Sequence, residues 1–328
     1  MIAAAERIFE FLEEPEEAED IKNATSTEGL KGNIEFKNVK FGYDPEKIII
    51  NDFNANVKDG QKIAIVGPTA VGKTKISIEL AKRLNAEIIS GDSVAVYKKL
   101  DIGSAKPTAK EMQGIKHYLI DELQPCEQYD VMTFQHRARQ IIDNSKKPMI
   151  ICGGTGLYIK SVLYNYEFEA PKRDDTLEER FKDFSNEELF NYLLKIDSEF
   201  DTARIHMNNR KRVLWAIEIK ESSNESIEHF NKKNEPYYEP YIVYLNISDR
   251  DLLYKRINDR VDEMFANGLL YEVFSLYKEG ITPNAIGYKE LIPFFNKEIT
   301  LETATDNIKQ NSRHLAKRQM TWFRTQMD

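Results

Sequence analysis

The stretch GQKIAIVGPTAVGKTKISIELAKRLNAEIISGDS, Gly60 to Ser93, decides how this chain is read. At its centre Gly67, Pro68, Thr69, Ala70, Val71, Gly72, Lys73 and Thr74 spell G-x-x-x-x-G-K-T. An apolar IAIV run precedes them and an amphipathic KTKISIELAKRL run follows, so the pattern predicts strand, loop, helix. A glycine-rich turn in that setting points backbone N–H groups at phosphate oxygens. The Lys73 ammonium adds charge, and the Thr74 hydroxyl is a ligand suited to Mg²⁺. The loop therefore predicts a phosphate site, and by itself it suits an ATP-dependent kinase or ATPase as well as any other diphosphate chemistry.

Outward from the loop the period changes. Upstream, NIEFKNVKFGY and IIINDFNANVKDGQKIAIVG read as strands with an Asp59-Gly60 turn, a β-meander over 33–66 running into the strand before the loop. Downstream, AEIIS and KPMIICGG read as strands and TFQHRARQIIDNSK as a helix, the alternation of an α/β fold with a parallel sheet. Between about Glu167 and Pro240 the chain is charged and helical, an inserted lobe; YIVYLNIS then returns as a strand and the rest is helical. The expected architecture is a P-loop NTPase-like core over 59–166 and 241–328, a helical insert over 167–240, and a front end over 1–58. That front end should hold a short helix around Ile8, Phe9, Phe11 and Leu12, then the antiparallel meander.

Charge is unevenly spread. Residues 1–30 hold nine acids against Arg7 and Lys22, which is −7 of the net −8, so the remainder is close to neutral and RNA remains an allowed partner. No apolar run reaches the length of a membrane span, and no basic, then apolar, leader opens the sequence. Cys126 and Cys152 have no metal or redox spacing, which suits a reduced cytoplasmic compartment. A monomer with no membrane partner is expected.

Asp92 follows a core strand directly, on the sheet edge where ligands of open α/β sheets bind. A carboxylate there suits a metal, a general base or a helix cap. GPTAVGKT, ISGDSVAVYKKLDIGSAKPT, GGTGLYIKSVL, RINDRVDEMFANGLLYEV, AIGYKE and AKRQMTWFR occur in that order, and together they resemble the successive motifs of the tRNA dimethylallyltransferases, from about residue 62 to 324. The resemblance implies transfer of a dimethylallyl group from dimethylallyl diphosphate to the exocyclic amine of the adenosine 3′ of the anticodon. The loop would then hold a leaving diphosphate with Mg²⁺. Asp92 would take the amine proton, Arg260 would face the diphosphate, and Thr155 would meet the Asp92 carboxylate or the base.

The same resemblance implies contact between the tRNA anticodon stem-loop and Asp92, Ser93, Val94 and Ala95. It extends that contact to Asn284, Gly287, Tyr288 and Lys289, and to the basic residues Lys211, Arg212, Arg313, Lys317 and Arg318. The chain departs from the family's usual form in RIHMNNRKRVLWAIE, where Met207, Asn209 and Trp215 replace a proline, an aspartate and an arginine. Trp215 is thereby either a stacking group or a core residue.

The front end resembles something else. AAERIFEFLEEPEEAED, GNIEFKNVKFGYDPEKIII and VKDGQKIAIVGPT are similar to the opening of an ABC exporter nucleotide-binding domain, with Tyr43 where that family stacks adenine. No L-S-G-G-Q signature follows. The chain thus reads as a chimera joined near the phosphate loop, which leaves an inactive fusion product as a third expectation.

Overall fold

The computed structural model describes residues 34–44, 47–58, 61–165, 176–203, 205–224, 226–227 and 235–327, with backbone alone at 34, 41–44, 47–53 and 223. The N-terminal helix, the acidic segment, the Asp59-Gly60 turn and the Tyr43 ring lie outside the described residues.

Five strands make a parallel sheet: β3 (Lys62–Val66), β4 (Glu87–Ser90), β5 (His117–Tyr118), β6 (Met149–Gly153) and β7 (Pro240–Tyr244), in the order β5-β4-β6-β3-β7. Side chains alternate across a strand, so β3 sends Ile63 and Ile65 to one face and Ala64 and Val66 to the other. Helix α1 (Lys73–Leu84) covers the first face with Ile78, Leu80 and Ala81. A further helix, α2 (Ala109–Met112), is a single turn closed by a capping box between Thr108 and Glu111. The second face is covered by α3 (Val131–Asn144) and α4 (Gly156–Leu163), through Phe134, Ala138, Ile142, Ile159, Val162 and Leu163. Covering both faces is why these strands read as unbroken apolar runs.

The front end corrects the meander. β1 (Ile34–Asp44) and β2 (Lys47–Val57) form an antiparallel pair of their own, and the third strand expected beside them is β3 of the parallel sheet. The reason is hydrogen bonding: β3 is paired on both edges, with β6 and β7, and has none left for β2. The hairpin is held by packing instead. Val57 is buried among Ile63, Ile65 and Val243, Phe36 lies against the same cluster, and the Asn56 N–H donates to the Tyr241 hydroxyl.

The insert holds α5 (Leu177–Arg180), α6 (Asn186–Ile196) and α7 (Arg210–Ser223). They share a core of their own around Leu189, Leu193, Val213, Ala216, Ile217 and Ile219. Chain departure and return sit side by side, since the Asn165 N–H donates to the Glu235 carbonyl and the Tyr237 N–H to the Leu163 carbonyl. The C-terminal part is helical: α8 (Arg250–Ala266), α9 (Leu269–Lys278), α10 (Ile292–Phe295) and α11 (Leu301–Gln326). Asp249 and Thr300 cap α8 and α11 by accepting first-turn N–H groups. Among the described residues no helix is long and apolar enough to cross a membrane.

Candidate active site

The phosphate loop joins β3 to α1 at the C-terminal edge of the sheet. Gly67 has φ 146°, and a Cβ there would lie 2.2 Å from the Leu245 carbonyl oxygen, so the turn admits no side chain. Gly72, at φ 89°, brings the chain into α1 without a side-chain cap, and no acid stands in the first turn. Those helix N–H groups therefore keep their preference for an anion. Lys73 folds back over the loop and its ammonium donates to the Pro68 carbonyl, 2.6 Å away.

Burial pushes Lys73 down to about 8. Cys152 beside it is itself pushed up by burial, so at neutral pH it is a thiol and gives Lys73 no charge to lean on. The Arg260 guanidinium lowers Lys73 further and the Asp92 carboxylate opposes it. One lysine, one arginine and one carboxylate thus act on each other across the loop. An entering diphosphate would relieve the repulsion between the two cations.

Asp92 stands just past β4, half-buried, and its Oδ1 accepts the N–H of Val94 at 2.8 Å and of Ala95 at 3.3 Å. The cap geometry and a chemical role are compatible, because Oδ2 has no hydrogen bond to the described residues. The Thr155 hydroxyl accepts the Ser93 N–H at 3.3 Å. Thr155 therefore fixes the strand end that carries Asp92. Arg260 reaches the loop from α8, its Nη1 donating to Thr69 Oγ1 at 2.9 Å.

Two residues within AKRQMTWFR that charge reading passes over hold the site together. Gln319 of α11 accepts the Thr69 N–H and donates to the Gly154 carbonyl, both at 3.0 Å, a clamp between the phosphate loop and the turn before α4. Trp322 lies on Gly156 so closely that a Cβ there would meet the indole at 2.1 Å. The signal for both was present, a glutamine and a tryptophan at helical spacing three apart.

Several residues expected at RNA sit away from open surface. Tyr288 is fully buried, its hydroxyl donating to Glu272 at 2.7 Å, and Gly287 is buried with its N–H on Glu290. This segment instead backs the Asp101–Gly103 turn, whose three N–H groups donate to the Glu272 carboxylate. Asn284 and Lys289 stay exposed beside it. Arg313 turns inward to donate to Asn258 of α8 at 2.7 Å, because α11 packs on α8 along that face, while Lys317 and Arg318 remain exposed. The N–H groups of Val94 and Ala95 are spent on Asp92, and Ala95 is buried; Ser93 is half-buried. Lys211, Arg212 and Trp215 are exposed on α7, so Trp215 is not a core residue.

Among the described residues no three histidine, cysteine or acidic side chains cluster as a metal cage. The donor set is a threonine hydroxyl, Thr74, with one carboxylate near the loop. That set fits Mg²⁺, which keeps several waters and binds through few protein oxygens plus substrate phosphates.

The IPP transferase family profile matches residues 95–326. The tRNA dimethylallyltransferase of Staphylococcus carnosus is 46% identical over 283 residues, covering 81% of this chain and 89% of that protein. That of Bacillus anthracis is 46% identical over 282 residues, covering 82% and 89%. A crystal structure of a tRNA isopentenylpyrophosphate transferase from Staphylococcus epidermidis aligns at TM-score 0.60 and 43% identity, over 82% of this chain and 92% of that one. A eukaryotic dimethylallyltransferase crystallised acting on tRNA aligns at TM-score 0.71 and 28% identity, over 81% and 70%. With the phosphate loop, the adjacent carboxylate and the arginine on one sheet edge, and a match over most of its length, the chain belongs to the IPP transferase family, the family of the tRNA dimethylallyltransferases.

Proposed function

We propose that this enzyme transfers the dimethylallyl group of dimethylallyl diphosphate to the exocyclic amine of the adenosine 3′ of the anticodon in tRNA. The observation that carries the reading is the convergence of Lys73, Arg260 and Asp92 on one phosphate loop. The amine nitrogen attacks the first carbon of the allyl group, the carbon–oxygen bond breaks and diphosphate departs. The amine proton passes to Asp92 Oδ2, the oxygen its own backbone leaves free. The charge gathering on the departing diphosphate is met by the loop N–H groups from Ala70 to Thr74, by Lys73 and by Arg260. Thr74 would hold Mg²⁺, which supplies further neutralisation of the diphosphate when bound. Thr155 and Gln319 hold the Asp92 strand end and the loop in register.

For the adenine to reach Asp92 it must leave its stack. Asn284, Lys289, Lys317, Arg318, Lys211 and Arg212 are the exposed groups proposed to hold the anticodon stem-loop. A monomer in the cytoplasm is the working assembly. We read residues 1–66 as a segment of ABC exporter type joined to this core near the loop. In support, among the described residues β1 and β2 pair with each other and lie outside the enzyme's sheet.

The test is incubation with unmodified tRNA and dimethylallyl diphosphate, with mass spectrometry of the digested nucleosides. A prenylated adenosine is expected, and none when guanosine replaces the target. ATP hydrolysis without prenyl transfer would overturn the reading.

A further inference from the structure

We infer that Trp215, with Lys211 and Arg212, is a platform that stacks on an unpaired nucleobase of RNA and holds the phosphates beside it; this deepens, and rests on, the tRNA reading above. The other apolar residues of α7 point the opposite way. Val213, Ala216, Ile217 and Ile219 are fully buried in the insert's core, whereas Trp215 is 38% exposed. An indole more than a third exposed beside a well-filled apolar face leaves part of its ring open to a partner.

Its neighbours say what it faces. Lys211 and Arg212 stand four and three residues before it, one helical turn away on the same side, and both are exposed. Among the described residues neither has a carboxylate partner. The basic groups nearby that are structural are occupied: Arg210 donates to the Phe181 and Phe184 carbonyls, and Arg180 is paired with Glu221. Two free cations flanking a flat aromatic face match a phosphodiester with an open base, since every base has a π face and stacking is tolerant of sequence. A continuous duplex offers the phosphates but not the base.

The contact also differs in kind from a cationic one. An arginine at this position would contribute a phosphate contact and its share of counterion release; an indole contributes stacking that salt does not screen.

The test uses the full chain and an unmodified anticodon stem-loop RNA, with a fully paired RNA of equal length as comparison. Trp215→Ala should weaken stem-loop binding roughly 5- to 100-fold while leaving binding of the paired RNA nearly unchanged. Trp215→Phe should recover much of the affinity. Trp215→Arg should recover it at low salt only, with a dependence on log salt steeper by about one unit. The chain has two tryptophans, so the quenching of indole emission lost in Trp215→Phe reports the stack. Unchanged emission, or an equal loss for the paired RNA, would overturn the platform. Failure of the wild-type chain to prenylate would instead overturn the catalytic reading and leave these binding measurements intact.

Discussion

Lys73 links the geometry of the phosphate loop to a measurable pH dependence. In an unfolded chain a lysine titrates at its ordinary 10.5, and in the folded loop burial lowers it to about 8. The folded protein thus binds this proton more weakly than the unfolded chain. The stability cost is fully present below pH 8 and fades as pH rises toward 10.5. Ligand binding runs the other way, because a diphosphate favours the ammonium. With that pKa the lysine is protonated in about nine molecules of ten at pH 7 and about one in ten at pH 9. If the bound lysine stays charged, affinity for an alkyl diphosphate should fall roughly tenfold between pH 7 and pH 9.

The ligand contributes little to that change, since its last ionisation lies near pH 6, about two units below the lysine. Calorimetric titration with dimethylallyl diphosphate at the two pH values measures the ratio. Repeating it at pH 8 in buffers of different ionisation enthalpy should show uptake of about half a proton. Lys73→Arg carries a charge that does not titrate here, so its affinity should be flat over the same range. A flat wild-type profile, or a Lys73→Arg variant with the same tenfold fall, would refute the assignment of Lys73 as the titrating phosphate ligand.

Asp92→Asn should lower the single-turnover transfer rate by about two to four orders of magnitude while tRNA affinity, read by filter binding, hardly changes. Gln319→Leu removes both bonds of the clamp and strands the Thr69 N–H; it should cost about 2–4 kcal/mol, seen as a lower denaturant midpoint, and raise KM for the diphosphate more than KM for tRNA. A chain beginning near Asp59 loses the hairpin and uncovers the cluster under Val57. It should melt at a lower temperature, by the about 1.5–3 kcal/mol of one buried valine, yet transfer the prenyl group at least as fast; a folded but inactive product would show the front end to be functional.

Much of the enzyme was legible in the sequence because its information is local. The loop from Gly67 to Thr74, the helix from Lys73 to Leu84 and the strands AEIIS and KPMIICGG each announce themselves through period or spacing within a dozen residues. Asp92 could be placed on the sheet edge for the same reason. What the sequence by itself could not determine is which partner a group chooses across the chain.

Pairing with β6 on one edge and β7 on the other claimed β3 and turned an expected meander into a hairpin docked by Val57. Burial took Tyr288 from the surface and set it on Glu272, and packing of α11 on α8 turned Arg313 inward. Gln319 joins residues 165 and 250 positions away, and neither distance leaves a trace in spacing. Trp215 was open between core and surface, since an apolar side chain on a helix is consistent with either. Only the filling of the insert's core by Val213, Ala216, Ile217 and Ile219 left the indole outside. Hydrogen bonds and packing between distant segments are satisfied once, by whichever partner the fold brings near, and that choice is made in three dimensions.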